Sequence, residues 1–281
     1  MTASPSPHPH PDIVARLRAA GCVFAEDEAR LLTAAARTPA DLAAMVDRRA
    51  AGLPLEQVLG WAEFCGLRIT VAPGVFVPRR RTEFLARQAI ALARRDARPG
   101  VPVIVDLCCG SGAVGAALAA ALGPVELHAA DIDPAAVRCA RANVATAGGH
   151  VYQGDLYAPL PAALRGRVRI LVANVPYVPS AEVGLLPAEA RIHEPRAALD
   201  GGADGLDVLR RVTTAAPRWL AAGGHLLVEA SQRQAVQAAA ELTRAGLAAR
   251  VDVSAEFRTA VVTGTRTAVP GGEQPPAPPG P

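Results

Sequence analysis

The chain has 281 residues, 51% of them apolar and 4% aromatic, and a net charge of +3. That length suits one α/β domain with a small companion, and so weak a positive charge argues against a nucleic-acid surface. No apolar run reaches the length of a membrane span, and Met1 to Pro11 lacks the apolar stretch of a secretory signal.

Cys22, Cys65, Cys108, Cys109 and Cys139 form an odd set without a C-x-x-C pair. They speak against a disulfide framework or a metal site and for a reducing, cytoplasmic setting. Every basic side chain is Arg and none is Lys. So uniform a bias gives any single Arg little functional weight.

Residues 1–11 and 267–281 are rich in Pro, Gly and Ser and are expected to be disordered tails. Residues 12–59 carry helical stripes (Ile13, Leu17 and Ala20; Ala29, Leu32 and Ala36; Leu42 and Met45) and read as a small helical domain. Glu26, Asp27 and Glu28 suit the first turn of its second helix. Residues 60–81 read as a linking β-hairpin, with Phe64, Leu67, Ile69 and Val71 alternating around Cys65-Gly66. Thr82 is expected to cap a helix running through Phe84 to Leu92. Arg79, Arg80 and Arg81 read as a solvated cluster, with the functional alternative that Arg79 or Glu83 lines a cleft.

Residues 82–266 alternate strand and helix, the pattern of a parallel sheet. Strands are expected at Val101–Asp106, Val125–Ala130, Val151–Tyr152, Arg169–Ala173 and Gly224–Glu229. Helices are expected at Ala113–Leu122, Asp204–Leu220 and Gln232–Ala245. Leu247–Val253 and Thr259–Thr263, joined by a short link, close the sheet as an antiparallel pair.

Leu171-Val172-Ala173 runs straight into Asn174-Val175-Pro176-Tyr177, and ligands in such sheets lie beyond the carboxyl ends of the strands. The Asn174 side chain offers one acceptor and one NH2 donor group. Pro176 biases Val175 towards an extended backbone that aims its carbonyl. Two carbonyl oxygens so placed grip both hydrogens of a planar NH2, and Tyr177 offers a face on which its plane stacks.

Gly110-Ser111-Gly112-Ala113-Val114-Gly115 follows a strand and opens a helix, with Asp131 about 20 residues on, which taken alone fits a dinucleotide. S-adenosylmethionine, which has a sulfonium and an amino-acid end but no pyrophosphate, fits the acids better. Asp106 is assigned to the ligand's ammonium, Asp131 to its ribose hydroxyls, and Asp155 to its adenine amino group with Leu156 against the ring. Cys108, Cys109, Gly110, Ser111 and Gly112 form the turn around it, and Asn174 stands at the transferable methyl group.

With these residues in place the chain resembles the protein-(glutamine-N5) methyltransferases that modify peptide-chain release factors, the PrmC/HemK family. The resemblance runs from about Leu55 to Arg266. It is carried by Phe64-x-Gly66, Pro78-Arg79-x-x-Thr82-Glu83, Asp106-x-x-x-Gly110-x-Gly112, Asp131 and Asn174-x-Pro176-Tyr177. A long block, His193-Glu194-Pro195-Arg196 into Leu199-Asp200-Gly201-Gly202-x-Asp204-Gly205, is its most specific part.

The resemblance implies an α/β fold, a seven-stranded Rossmann-like class I methyltransferase domain behind a small N-terminal helical domain and a linking β-hairpin. It further implies methyl transfer to the glutamine side-chain amide in the Gly-Gly-Gln loop of release factors, with a protein partner and neither membrane nor direct nucleic-acid binding. Asn174, Val175, Pro176 and Tyr177 then hold the acceptor, with Glu83 and Arg79 as further substrate contacts. Four positions depart from the family pattern: Val175 stands for a Pro, Cys108 for a Gly, and Arg80-Arg81 for a Pro and an acid. Methylation of an exocyclic amine in DNA or RNA is the alternative enzyme reading. A non-catalytic ligand-binding protein of the same fold is the other, and an NAD oxidoreductase is the weakest.

Overall fold

The computed structural model describes residues 10–267, so most of both expected tails lies outside the described residues. Four helices open it: α1 (Pro11–Ala19), α2 (Ala25–Ala35), α3 (Pro39–Ala50) and the short α4 (Leu55–Leu59). Pro11, expected in the tail, is the first residue of α1, where a missing N–H costs nothing. Leu17, Ala29, Leu32, Met45 and Val58 close a core between the helices. A buried pair sits inside it: Arg49 Nε donates to Glu28 Oε2 at 2.6 Å, and Arg49 Nη1 reaches Glu189 at 3.1 Å. The bundle is thereby tied to a segment 140 residues further along the chain.

The hairpin forms as β1 (Trp61–Phe64) and β2 (Leu67–Thr70). Its two turn residues, Cys65 and Gly66, both have positive φ (51° and 74°), as a two-residue hairpin turn requires. A helix, α5 (Glu83–Arg95), follows. Thr82 does not cap it: its backbone is already helical and its hydroxyl makes no capping bond.

The main sheet holds seven strands: β3 (Val103–Leu107), β4 (Glu126–Asp131), β5 (His150–Gln153), β6 (Val168–Ala173), β7 (Leu220–Ala230), β8 (Ala248–Ser254) and β9 (Thr259–Thr265). Their order is β5-β4-β3-β6-β7-β9-β8; pairing is parallel from β5 to β7 and antiparallel at β9. The expected fold is therefore the observed one. Val105 and Leu107 on one face of β3 join the core with Leu171 and Val228, while Ile104 on the other packs with Ile170 and Leu227. Between the strands run α6 (Ala113–Leu122), α7 (Pro134–Val144), α8 (Ala188–His193), α9 (Asp207–Trp219) and α10 (Ala235–Arg244). The expected start of α9 at Asp204 is too early, because Gly205 takes a left-handed φ of 78°. The strand order reverses between β3 and β6, and that switch point is where a cleft must open.

Candidate active site

A cleft does open there, lined by the ends of β3, β4 and β6 and by the linker between hairpin and α5. Asp106, next to last in β3, is 2% exposed. It turns to the α6 side, where the Gly115 amide donates to its Oδ2 at 2.9 Å. Burial, with the neighbouring Asp131 adding, pushes its carboxyl from an ordinary 3.8 up to about 7. Asp131 ends β4 and accepts from the amides of Gly110 (Oδ2, 2.8 Å) and Asp133 (Oδ1, 2.9 Å). Burial raises its carboxyl too. Asp155 also lines the cleft, but Arg211 of α9 pairs with it, a partner that nothing in the sequence pattern marked.

This donor set decides between the two ligand classes. A pyrophosphate needs free amides at a glycine turn and helix start. Here the amides of Gly110 and Gly115 are already taken by carboxylates of the chain itself. Asp106 and Asp131, which have no cationic partner among the described residues and accept from backbone amides, disfavour a dinucleotide phosphate and suit hydroxyls and an amino group. The residues fit S-adenosylmethionine.

Cys108, Cys109, Gly110, Ser111 and Leu156 line the cleft as expected; Gly112 does not. Its place is in the packing: a Cβ there would lie 3.0 Å from Ala140 of α7. Cys108 has φ 52°, the left-handed conformation for which a Gly is the ordinary residue. The departure at this position therefore keeps the turn at the expense of backbone strain.

On the other side stand Asn174, Val175, Pro176 and Tyr177, all lining the same cleft. Asn174 Nδ2 donates to Thr82 Oγ1 at 3.4 Å, which leaves the Asn174 carbonyl oxygen for a ligand. Val175 is 1% exposed and belongs to the core with Leu206 and Val228, so the residue replacing Pro fills space as a side chain. The Tyr177 hydroxyl donates to Glu229 Oε1 at 3.2 Å, and Arg81 Nε donates to the same oxygen at 3.2 Å. The guanidinium lies 5.9 Å from the centre of the Tyr177 ring. Burial and the Glu229 charge push the Tyr177 phenol up to about 12, so it stays a donor at neutral pH.

Two expected contacts lie elsewhere. Arg79 Nη2 donates to Glu194 Oε2 at 2.6 Å and does not line the cleft. Glu83 Oε1 accepts from the Cys65 amide at 3.1 Å and fixes the hairpin turn on α5. It is Arg81, together with Thr82, that faces the ligand space. The reason is local: residues 80–82 form one 3-10 turn, which rotates the second and third positions inward.

The block 193–205 explains itself in this setting. Glu194 also accepts from the Val77 amide at 3.1 Å, fastening the linker to the loop beyond Tyr177. A Cβ at Gly201 would lie 2.6 Å from the Pro176 carbonyl oxygen, and one at Gly205 2.3 Å from that of Tyr177. These glycines are the condition for the loop to lie against the backbone of Pro176 and Tyr177. Gln234 Nε2 holds the Tyr177 carbonyl at 2.9 Å.

Comparison with known proteins agrees with this geometry. A family model described as "Methyltransferase small domain" matches residues 67–203. The release factor glutamine methyltransferase of Mycolicibacterium smegmatis is 38% identical over 250 residues, covering 86% of this chain and 86% of that protein. Further relatives with the same name are 37–42% identical. A 4-amino-L-phenylalanine/4-methylamino-L-phenylalanine methyltransferase of Streptomyces pristinaespiralis is 38% identical over 188 residues, covering 66% of this chain and 63% of that one. Among solved structures, a methyltransferase from Pyrococcus furiosus superposes with a TM-score of 0.52 at 14% identity, covering 72% of this chain and 90% of that one; this is likeness of fold. Among the described residues no helix is long and apolar enough to cross a membrane.

Proposed function

Since this chain belongs to the family of release factor glutamine methyltransferases, we propose that it methylates the side-chain amide nitrogen of a glutamine in a peptide-chain release factor. S-adenosylmethionine supplies the methyl group as an electrophilic carbon on a sulfonium. The observation that carries this reading is the pairing of an acid-lined pocket with the Asn174 carbonyl oxygen across one cleft.

Asp106 receives the amino group of the cofactor, Asp131 its ribose hydroxyls, and Asp155 and Leu156 its adenine. An amide nitrogen is a poor nucleophile because its lone pair is delocalised into the carbonyl. The chain answers by orientation: the Asn174 side-chain oxygen and the Val175 carbonyl accept the two N–H bonds, and the Tyr177 ring supports the amide plane. Positive charge that develops on nitrogen during transfer falls next to those oxygens, where fixed dipoles stabilise it. The methylated nitrogen then gives up one proton to solvent, and no side chain is needed as a base beforehand. A release factor places the reaction in the cytoplasm, and the bundle α1–α4 with the hairpin makes up a separate N-terminal domain and linker before the methyltransferase domain.

The test is transfer of labelled methyl from S-adenosylmethionine to purified release factors, with a loop Gln→Ala variant as control. Label that appears on the wild-type factor and vanishes with the variant supports the proposal. Label on 4-amino-L-phenylalanine instead, the compound in the name of the Streptomyces relative, would overturn the protein substrate and keep the cleft.

A further inference from the structure

Arg81 brings a cation into a cleft that, on the reading above, also has to hold a sulfonium. Its side chain is 44% exposed in the cleft wall. The carboxylate opposite it, Glu229, is 1% exposed at the end of β7, and its Oε2 is buried without a hydrogen-bond partner among the described residues. A buried carboxylate with a spare oxygen is a costly way to hold a phenol; a neutral amide would accept the same bond from Tyr177. What a carboxylate adds is its charge.

That charge stands where the reaction needs it. Positive charge starts on sulfur and moves towards the acceptor nitrogen, the side on which Arg81 lies. An uncompensated guanidinium there opposes the binding of a cationic ligand and the build-up of charge on nitrogen. We propose that Glu229 is a positioning residue that acts as the counter-ion of Arg81, neutralising the guanidinium in the cleft wall so that the cleft can take a sulfonium while Tyr177 stays fixed. The inference rests on S-adenosylmethionine occupying this cleft.

The two ligands that test it differ in one charge. S-adenosylmethionine carries the sulfonium; S-adenosylhomocysteine has the same adenosine and amino-acid ends around a neutral thioether. Isothermal titration of both into the full chain gives an affinity ratio that a general loss of structure does not move. Glu229→Gln should lower the ratio of sulfonium to thioether affinity by about three- to ten-fold, since one nearby charge is unmasked in a partly screened site. Arg81→Met should shift the ratio the other way, and the double variant should return it to within about two-fold of wild type, as coupled neighbours do.

Equal weakening of both ligands in Glu229→Gln, or a ratio unmoved in every variant, would overturn the proposal and leave the cofactor reading intact. A folded wild type that binds neither ligand would overturn the cofactor reading and the proposal with it. Should Glu229→Gln alone fail to fold, the double variant is compared with Arg81→Met: a lower sulfonium-to-thioether ratio in the double variant supports the charge of Glu229, and equal ratios reject it.

Discussion

On the β3–β4 side of the cleft the two most buried acids are held by nearby backbone, while Asp155 reaches Arg211, 56 residues on. Asp106 meets the amide of Gly115 nine residues on, and Asp131 meets Asp133 two residues on. On the acceptor side the partners come from far along the chain. Asn174 is held by Thr82, 92 residues away; Tyr177 by Glu229, 52 away; and Arg81 by that same Glu229, 148 away. The first side is a product of strand ends and one glycine turn. The second exists only once linker, loop 178–205 and β7 have met, so its precision depends on the whole fold.

The largest expected effect separates chemistry from binding. Asn174→Ala should lower methyl transfer by about 10²–10³-fold, the usual loss for one preorganised polar contact to a developing charge, while S-adenosylmethionine affinity stays within a few-fold. Full activity in the variant would remove Asn174 from the acceptor site.

Next comes the bracket that assembles the acceptor side. Glu194 has a fully buried side chain, and Arg79 neutralises it. Arg79→Met should therefore cost about 2–4 kcal/mol in urea unfolding, because it strands a buried charge. A loss below about 1 kcal/mol would show the bracket to be dispensable.

A smaller effect should distinguish the cofactor side by its pH dependence. On the proposed assignment the Asp106 carboxyl, raised to about 7, must be ionised to receive an ammonium group. Affinity for S-adenosylmethionine should rise about five- to ten-fold between pH 6 and pH 8, and Asp106→Asn should flatten the profile. The sign for stability is the reverse. The folded value lies above the ordinary 3.8, so the ligand-free chain should lose stability as pH climbs from about 4 to 7, with no further loss from this group above that. A profile that stays sloped in Asp106→Asn would assign the titration to another group, Asp131 being the next.

The smallest effect concerns the departure at the glycine turn. A non-glycine left-handed residue costs about 1–2 kcal/mol. Cys108→Gly relieves that, but loses the packing of the side chain and loosens the unfolded chain. Stability should move by less than about 1 kcal/mol in a denaturant titration; a loss above about 2 kcal/mol would mean that the thiol is a packing element of the cleft.

The same contrast explains what could be read from the sequence. Strand and helix alternation, the three aspartates and the Asn174–Tyr177 turn are local patterns, and the fold followed from them. The Arg79–Arg81 run reads in sequence as a solvated cluster with Arg79 as its cleft-facing alternative, yet Arg79 pairs with Glu194 and it is Arg81 that turns inward. No local pattern separates them, because their partners lie 115 and 148 residues ahead. Thr82 was read as a helix cap for its residue type, and its hydroxyl is spent on Asn174 instead. Glu229 passed as an ordinary strand end. Arg211, whose partner is Asp155, carried no signal in a chain whose basic residues are all Arg.

Cys108 and Cys109 stand side by side in the cleft wall, and their surroundings set their reactivity. Burial, with the charges of Asp106 and Asp131 nearby, pushes both thiols far above the ordinary range. Oxidants and alkylating agents attack the thiolate. Burial first, and the acids proposed to hold a cationic ligand second, keep these sulfur atoms protonated. An adjacent pair of cysteines in the cleft wall should therefore react slowly with alkylating agents, chiefly because the cleft buries them.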